Sequence, residues 1–333
     1  MGKPKKPDEF ELISRYFAPL AAGEPGAMGL TDDAAVLTPE PGPGLVVTTD
    51  TLVEGVHFPA GEDPGSVAAR ILGVNLSDLA AMAAEPWAYT LSVALPANWD
   101  EPWVKDFADG LGAQQAEYGI VLVGGDTVAT PGPLSLTLTA LGRIADGGPL
   151  TRSGAEPGDD IYVSGTVGDA ALGLKELNDG IAGLEPAHAE HLVDRYRRPR
   201  PRVRLGRRLA GLARAAIDVS DGLVADLGHV AEASGCAATV EASKVPLSEA
   251  AAAAIILDPA LRDLALTGGD DYELLFAAPS SAAAAVRDLA ATHDVPLTAI
   301  GRIGLGDGDG ARVRVVDADG LEVSLAGGGY RHF

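Results

Sequence analysis

Apolar positions along the chain predict a series of short strands separated by helices. Strand-like runs occur at "GLVVTTD", "AYTLSVALP", "GIVLVGG" and "LSLTLTALGRI", with a shorter run at "AAVLT". Helical periodicity fills 66–84 and 101–118, and a short helix is predicted at "EFELISRYFAPL". Strands that alternate with helices are typical of a layered α/β unit.

The second half of the chain shows the same kind of pattern again. "IYVSGTVG", "AAIDVS", "ELLFAAP" and "RVRVVDA" predict strands, whereas "DAALGLKELNDG" and "DGLVADLGHVAEASG" predict helices that stop at glycine. The intervening stretch "ADGGPLTRSGAEPGDD", 145–160, is rich in glycine and proline and is typical of a linker. We therefore predict two domains, 1–148 and 149–333.

Composition excludes several classes of protein. The 47 acidic and 25 basic side chains give a net charge of −22, which repels nucleic acid and anionic membranes. A single cysteine, Cys236, excludes a disulfide framework. The N-terminus lacks the apolar core of a signal peptide, and no run of apolar residues is long enough to span a membrane. We predict a cytoplasmic protein without nucleic-acid or membrane partners.

One basic segment stands out against this acidic background. "RYRRPRPRVRLGRR", 195–208, carries eight arginines. It is either a nucleic-acid patch or a solvated segment that leads into a helix at "VRLGRRLAGLA". The acidity of the rest of the chain favours the solvated segment.

Aspartates recur in one sequence context. Each follows an apolar segment and is flanked by Gly, Ser, Thr or Asn, as in "LTDDAAVL", "VVTTD", "GVNLSD", "LVGGD", "AIDVSD" and "LTGGDD". A single aspartate of this kind is usually a helix N-cap. If several converge, however, their carboxylates repel unless protons or a metal ion intervene. Donors that are all oxygen favour magnesium or calcium over zinc.

Signals for phosphate binding are weaker. The common loop GxxxxGK[ST] is absent. "SGTVGDAALG", 164–173, is either an ordinary strand-to-helix turn or a turn whose amides hold phosphate. "GGD", 124–126, permits close approach of the backbone to a ligand, and Arg152 is a candidate fork for phosphate.

The order of the motifs resembles that of thiamine-monophosphate kinases. The resemblance rests on "DDAAVL", "VVTTDTLVEGVHF", "NLSDLAAM", "GGDT", "TRSGAEPGD", "RYRRPRPRV", "IDVSDGLVADL", "GGDDYELLF" and "GYRHF", and covers about residues 9–333. It implies the two-domain α/β fold of the aminoimidazole ribonucleotide synthetase type, with each domain a mixed sheet that has helices on one face. It also implies a homodimer formed by the N-terminal domains, and ATP-dependent phosphorylation of thiamine monophosphate with several magnesium ions.

The resemblance also assigns roles to individual residues. The implied metal ligands are Asp32, Thr48, Thr49, Asp50, Asp78, Asp126, Asp218 and Asp221. The implied ATP-binding residues are Gly125, Asp126, Arg152 and Ser220, and the implied substrate contacts are His57, Asp270 and Tyr330. On sequence alone, His57 is also a candidate structural histidine, and Tyr330 a candidate anchor for the C-terminus.

The implied chemistry needs no general base. The second pKa of a phosphate monoester lies near 6, so the attacking oxygen of thiamine monophosphate is largely deprotonated at neutral pH. Charge neutralisation and in-line positioning are the main requirements. We predict direct transfer, with the N-terminal domain contributing to metal and ATP binding and the C-terminal domain completing the ATP and substrate site.

Two departures from the family pattern bear on this assignment. Thr31 stands where glycine usually precedes the paired acids, and Asp270 stands where glutamate is usual. The alternatives are another ATP-dependent synthetase of the same superfamily and a non-catalytic module that binds magnesium or nucleotide. All the matching acidic positions are present, which argues against the non-catalytic module.

Overall fold

The structure, a computed structural model, describes residues 9–31, 35, 37–39, 42, 44–144, 147–306, 313–325 and 329. The chain divides into two compact units. The first comprises Met1–Leu79 and Glu85–Ile144, and the second comprises Ala80–Ala84 and Ala145–Phe333. The sequence-based division at 148 differs from this one by a few residues and by the short piece 80–84. The roles given to the two predicted domains stay predictions.

The first unit is built on a four-stranded sheet in the order β1-β4-β2-β3. Its strands are β1 Leu45–Val53, β2 Ala84–Pro96, β3 Val121–Thr130 and β4 Ser135–Ile144. Its helices are α1 Glu9–Leu12, α2 Pro64–Ala81 and α3 Glu101–Tyr118, with short π or 3-10 turns at Ile13–Phe17, Ala18–Ala21 and Pro25–Leu30. β1 pairs antiparallel with β4 and β2 pairs parallel with β3, so the sheet is mixed.

Local sequence explains the bounds of α3. The Asp100 carboxylate accepts the N–H of Trp103 at 2.9 Å and caps the first turn. Gly119, with φ of 70°, ends the helix in the left-handed region that glycine adopts without strain. Between these ends, Val104, Phe107 and Leu111 are buried along one face at helical spacing. The predicted span 101–118 is therefore confirmed.

The second unit is built on a six-stranded mixed sheet in the order β10-β7-β9-β5-β8-β6. Its strands are β5 Asp160–Ser164, β6 Ala215–Asp218, β7 Cys236–Glu241, β8 Leu274–Ala278, β9 Leu297–Leu305 and β10 Val313–Val316. Its helices are α4 Asp169–Asp179, α5 Pro186–Arg197, α6 Val203–Leu209, α7 Leu223–Ser234, α8 Glu249–Leu257, α9 Leu261–Thr267 and α10 Ala283–His293, with a 3-10 turn at Ser280–Ala282.

Most of the predicted strands and helices are confirmed, but the helices α5, α8, α9 and α10 were not predicted. Three further differences concern other segments. The segment "EFELISRYFAPL" is divided between α1 and the short turns that follow it. Part of "AAVLT" lies outside the described residues. β7 and β9 were not predicted, because alanine and glycine interrupt the apolar pattern of their sequences "CAATVE" and "LTAIGRIGL". No helix in the described part of the chain is long and apolar enough to cross a membrane.

Candidate active site

In the first unit, β1 and α2 bring Thr48, Asp50 and Asp78 together. Side chains alternate along β1, so Thr48 and Asp50 are partly buried on one face while Thr49 and Thr51 are exposed on the other. The Thr48 hydroxyl donates to the Asp78 carboxylate at 2.5 Å. We call Thr48, Asp50 and Asp78 the β1–α2 acidic group.

This group is electrostatically unfavourable by itself. Burial, and then the nearby charge of Asp78, raise the pKa of Asp50 from 3.8 to about 6. No cation among the described residues contributes to this shift. The Asp50 and Asp78 carboxylates are therefore held near each other. All the side-chain atoms of this group that could bind a metal ion are oxygens. This arrangement is suited to a hard cation.

The structure separates the Thr49 side chain from the acidic group. The Thr49 hydroxyl is 3.0 Å from that of Thr139 and donates to the carbonyl oxygen of Leu138 at 3.1 Å. Its position follows from the two-residue period of a strand, which places Thr48 and Thr49 on opposite faces. Thr49 as a metal ligand stays a prediction, and the hydroxyl has other partners here.

Gly125 and Asp126 lie on β3, at the edge of the first sheet. A Cβ at Gly125 would lie 1.9 Å from the carbonyl oxygen of Leu91, so only glycine permits this pairing of β3 with β2. Asp126 is exposed and pairs in register with Ser92. The two residues thus place bare backbone and a carboxylate at an accessible edge.

A cavity of about 240 Å³, lined by apolar side chains and by polar groups of β3, lies beside this edge. Its lining includes Phe10, Ile13 and Phe17 of the N-terminal segment and Leu91 and Val93 of β2. Gly125 and Asp126 also line the cavity. It therefore joins an apolar surface to the residues predicted to bind ATP.

His57 follows β1 in a turn that fixes its ring. The N–H of Val53 donates to Nδ1 at 3.0 Å, so Nε2 carries the proton of the neutral ring. Arg70 donates to the main-chain oxygen of His57 at 3.2 Å. The ring is partly exposed. The ring therefore has the structural role considered from the sequence, and its contact with substrate stays a prediction.

Three of the singled-out acidic and aromatic residues cannot be placed. Asp32, Asp33 and Tyr330 lie outside the described residues. Thr31 is described, and its φ of −110° explains why a glycine is not needed there. Its hydroxyl donates to the main-chain oxygen of Met28 at 2.8 Å.

In the second unit, Asp218 ends β6, and Ser220 and Asp221 lie in the loop that follows it. Asp218 is 3% exposed, whereas Ser220 and Asp221 are partly exposed. One carboxylate oxygen of Asp226 accepts the N–H groups of Ser220, Asp221 and Gly222, each at 3.0 Å. Sequence reasoning missed Asp226, although its place in the first turn of α7 is typical of a carboxylate that binds amides.

Asp226 also has acidic surroundings. Burial and then Asp221 raise the pKa of Asp226 to about 7, against the lowering effect of the three amides. Ligand atoms of Asp221, Asp226 and His229 lie within 4.8 Å of one another. The loop and the start of α7 therefore form an acidic cluster in which Asp226 is held by three amides.

Asp270 lies in the segment that joins α9 to β8. Its φ is 73° and that of Tyr272 is 52°, both in the left-handed region that non-glycine residues seldom adopt. The Asp270 N–H donates to the Ser220 carbonyl at 2.9 Å, and the Tyr272 hydroxyl donates to the Asp270 carboxylate at 3.1 Å. The structure thus brings the main chain of Asp270 beside that of Ser220, and the roles assigned to both residues stay predictions.

In the glycine-bearing turn at 164–173, backbone amides bind a side chain of the protein itself. The N–H groups of Gly168 and Ala170 donate to the Asp271 carboxylate at 2.6 and 3.2 Å. Burial raises the pKa of Asp271 to about 8, although these amides and Arg195 lower it. These two donors at the start of α4 are therefore bound by the protein's own carboxylate, which favours the ordinary-turn interpretation.

The solvated interpretation of the arginine-rich segment is wrong for two of its residues. Arg195 is 4% exposed and donates to Glu273 at 2.9 Å. Arg202 donates to both oxygens of Glu273, at 2.7 and 2.5 Å. Arg198 and Arg200 are exposed and pair with Asp194, as a solvated segment would. Arg152 is also exposed, and its main-chain oxygen accepts the Ser234 hydroxyl at 3.3 Å.

Comparison with known proteins gives the site a family. The chain matches two profiles, "AIR synthase related protein, N-terminal domain" over 31–144 and "AIR synthase related protein, C-terminal domain" over 156–314. Thiamine-monophosphate kinase of Salmonella typhimurium is 44% identical over 327 residues, which cover 98% of each chain.

Solved structures agree with this match. Thiamine-monophosphate kinase from Stenotrophomonas maltophilia K279a is 47% identical, with a TM-score of 0.79 over 88% of this chain and 91% of that chain. AaThiL complexed with AMPPCP and TMP is 31% identical, with a TM-score of 0.75 over 87% of each chain. The predicted fold and enzyme class are confirmed, and the kinase is favoured over other synthetases of the superfamily. The chain belongs to the thiamine-monophosphate kinase family.

Proposed function

We propose that this protein transfers the terminal phosphoryl group of ATP to thiamine monophosphate, which yields thiamine diphosphate and ADP. The observation that carries the proposal is the β1–α2 acidic group. The resemblance assigns its carboxylates to metal binding, and the chain's relatives are thiamine-monophosphate kinases. A structural role for two mutually repelling carboxylates would be unfavourable without a cation.

The residues present fit magnesium. Thr48, Asp50 and Asp78 offer only oxygen donors, which is the ligand type that magnesium prefers. The further proposed ligands are Asp32, Asp126, Asp218 and Asp221. Thr49 stays a prediction from the resemblance, because its side chain lies on the opposite face of β1. When bound, magnesium neutralises phosphate charge and acts as a Lewis acid.

The remaining predicted residues bind the two substrates. Gly125, Asp126, Arg152 and Ser220 contact ATP, and the cavity beside Gly125 suits a nucleotide base. His57, Asp270 and Tyr330 contact thiamine monophosphate. Asp270 provides a negative charge for the cationic thiazolium ring, although its side chain is one methylene shorter than the usual glutamate. The ring of His57 is partly exposed and is held through Nδ1, and we assign it a contact with thiamine monophosphate.

The transfer is direct and in line. The bond between the γ-phosphorus and its bridging oxygen breaks while a phosphate oxygen of thiamine monophosphate forms the new bond. That oxygen is already deprotonated for the most part at neutral pH, because the second pKa of a phosphate monoester is about 6. No side chain has to remove a proton, so positioning and charge stabilisation account for the rate.

An ADP-release assay with magnesium tests the proposal. Thiamine monophosphate and thiamine are compared as acceptors at equal concentration. We expect turnover with thiamine monophosphate and none above background with thiamine. Turnover with thiamine alone would contradict the assignment, and a labelled acyl-phosphate on an aspartate would contradict direct transfer.

We also propose a homodimer formed through the first sheet. The face of β1 opposite the acidic group carries Leu45, Val47, Thr49 and Thr51, which are uncharged and exposed. Val47 alone is 61% exposed, and a solvated face of an antiparallel pair is normally more polar. Light scattering should give twice the chain mass, and Val47→Asp should shift it to the monomer mass. The cytoplasmic location stays a prediction.

A further inference from the structure

The segment Gly268–Glu273 holds two strained residues between buried anchors. Asp270 and Tyr272 have positive φ, whereas the side chains of Asp271 and Glu273 are 1% and 0% exposed. Strained backbone of this kind persists only where the surrounding structure over-determines it, and it concentrates at functional sites. The groups that hold Asp271 and Glu273 are therefore the groups that maintain the conformation of Asp270.

Glu273 is held by a buried cluster of charges. Nε and Nη2 of Arg202 donate hydrogen bonds to its carboxylate at 2.7 and 2.5 Å. Arg195 donates to the same carboxylate at 2.9 Å. The Ser164 hydroxyl donates at 2.5 Å. We call Ser164, Arg195, Arg202 and Glu273 the Glu273 cluster. A two-pronged arginine contact fixes both the position and the direction of a carboxylate.

The cluster is connected directly to the main chain that follows Asp270. Arg195 also donates to the main-chain oxygen of Asp271 at 3.4 Å. The Glu273 main-chain oxygen accepts the N–H of Val219 at 2.8 Å, and the Asp270 N–H donates to Ser220. A Cβ at Gly165 would lie 2.3 Å from the Glu273 carboxylate, so the turn after β5 leaves room for that side chain.

We propose that Arg195 and Arg202 are positioning residues for thiamine monophosphate. Through Glu273 and the main chain of Asp271, they hold Asp270 in the left-handed conformation in which its carboxylate meets the substrate. They act through Asp270 and do not themselves contact thiamine monophosphate or ATP. The inference rests on the proposed function, because it assumes that Asp270 contacts thiamine monophosphate.

Arg200 provides a matched control for Arg202. Both lie in the stretch "PRPRV", but Arg200 is exposed and pairs with Asp194, whereas Arg202 meets Glu273. Arg202→Gln should raise the KM for thiamine monophosphate about tenfold, since small misplacements of a contact are costly. Arg200→Gln should leave that KM within about twofold, as for most surface substitutions. Arg202→Lys, which keeps the charge without the fork, should fall between the two.

A double-mutant cycle separates positioning from general damage to the fold. In an Asp270→Ala background, Arg202→Gln should change the KM for thiamine monophosphate by less than about twofold, because its effect passes through Asp270. An equal effect in both backgrounds would overturn the proposal. So would a change confined to kcat that follows the fraction of folded protein. If Arg202→Gln does not fold, Arg202→Lys is measured in the same cycle with the same criterion.

The Asp270→Ala variant alone distinguishes a wrong assignment of the substrate contact from a wrong assignment of the positioning residues. If Asp270→Ala leaves the KM for thiamine monophosphate unchanged while the enzyme still turns over, the contact assigned to Asp270 is wrong, and the positioning proposal is overturned with it. If Asp270→Ala raises the KM but Arg202 variants do not, only the positioning proposal is overturned.

Discussion

The molecule holds carboxylates in two contrasting ways. In the first unit, Asp50 and Asp78 are near each other, and no cation among the described residues offsets the rise in the pKa of Asp50. In the second unit, Glu273 is fully buried but bound by Arg195, Arg202 and Ser164. The first arrangement is incomplete without a ligand, whereas the second is complete within the protein. Carboxylates of the first kind are therefore candidates for function, and those of the second kind for support.

The largest expected effect is on activity at the incomplete site. Asp50→Asn should lower kcat/KM on the order of a thousandfold, because removal of a charge that stabilises the transition state costs this much. Stability in the presence of a chelator should be unchanged or higher, since the repulsion from Asp78 is removed. The two measurements are steady-state kinetics and thermal unfolding. A marked loss of stability would place Asp50 among the supporting carboxylates.

The opposite pattern is expected at the complete site. Glu273→Ala should lower the free energy of unfolding by about 3–5 kcal/mol, because the buried guanidinium of Arg195 and the partly buried one of Arg202 lose their partner. Glu241→Ala is the control, since Glu241 forms an exposed pair with Lys244 and should lose about 0–1 kcal/mol. Chemical denaturation of the full chain provides the comparison. Equal losses of unfolding free energy in the two variants would contradict the supporting role assigned to Glu273.

A third test addresses the backbone beside Asp126. Gly125→Ala places a Cβ 1.9 Å from the Leu91 oxygen, whereas at Gly124 the nearest atom is a Thr90 methyl at 3.8 Å. Gly125→Ala should destabilise the protein by about 1–3 kcal/mol through overpacking, and Gly124→Ala by less than about 0.5 kcal/mol. Denaturation midpoints distinguish the two. Tolerance of Gly125→Ala would show that β3 moves freely away from β2.

The smallest expected effect tests which threonine hydroxyl of β1 belongs to the β1–α2 acidic group. Thr48→Val removes the donor to Asp78, and activity should fall about tenfold, in line with the loss of a hydrogen bond to a charged group. Thr49→Val removes a hydroxyl on the other face, and activity should stay within about twofold, as for most surface changes. Magnesium titrations of both variants check this. A larger effect at Thr49 would restore its side chain as a ligand.

Much of the fold could be predicted because its signals are local. The N-cap at Asp100, the glycine at 119 and the apolar spacing between them all lie within the span of α3. The strands of the first sheet likewise follow from runs of apolar residues. β7 and β9 were missed because their burial depends on neighbouring strands, and small residues leave little pattern in the sequence.

The candidate site could be predicted only in part. The motifs identified Asp50 and Asp78, and the period of β1 already separates Thr48 from Thr49. The roles of Asp226, Asp271 and Glu273 were missed, since an aspartate beside glycine gives the same sequence signal whether it binds amides or a ligand. The arginine-rich segment misled for a similar reason: Arg200 and Arg202 are two residues apart, yet one is exposed and the other meets Glu273.

The sequence by itself determined the family, the reaction and most of the secondary structure, because these depend on residue types in a fixed order. Only the tertiary structure decided which charges are paired. Asp78 meets a hydroxyl 30 residues away, and Glu273 meets a serine 109 residues away. Whether a carboxylate is costly or satisfied depends on its burial and on the cations and donors within a few ångströms. Chain folding sets those distances, and no local pattern records them.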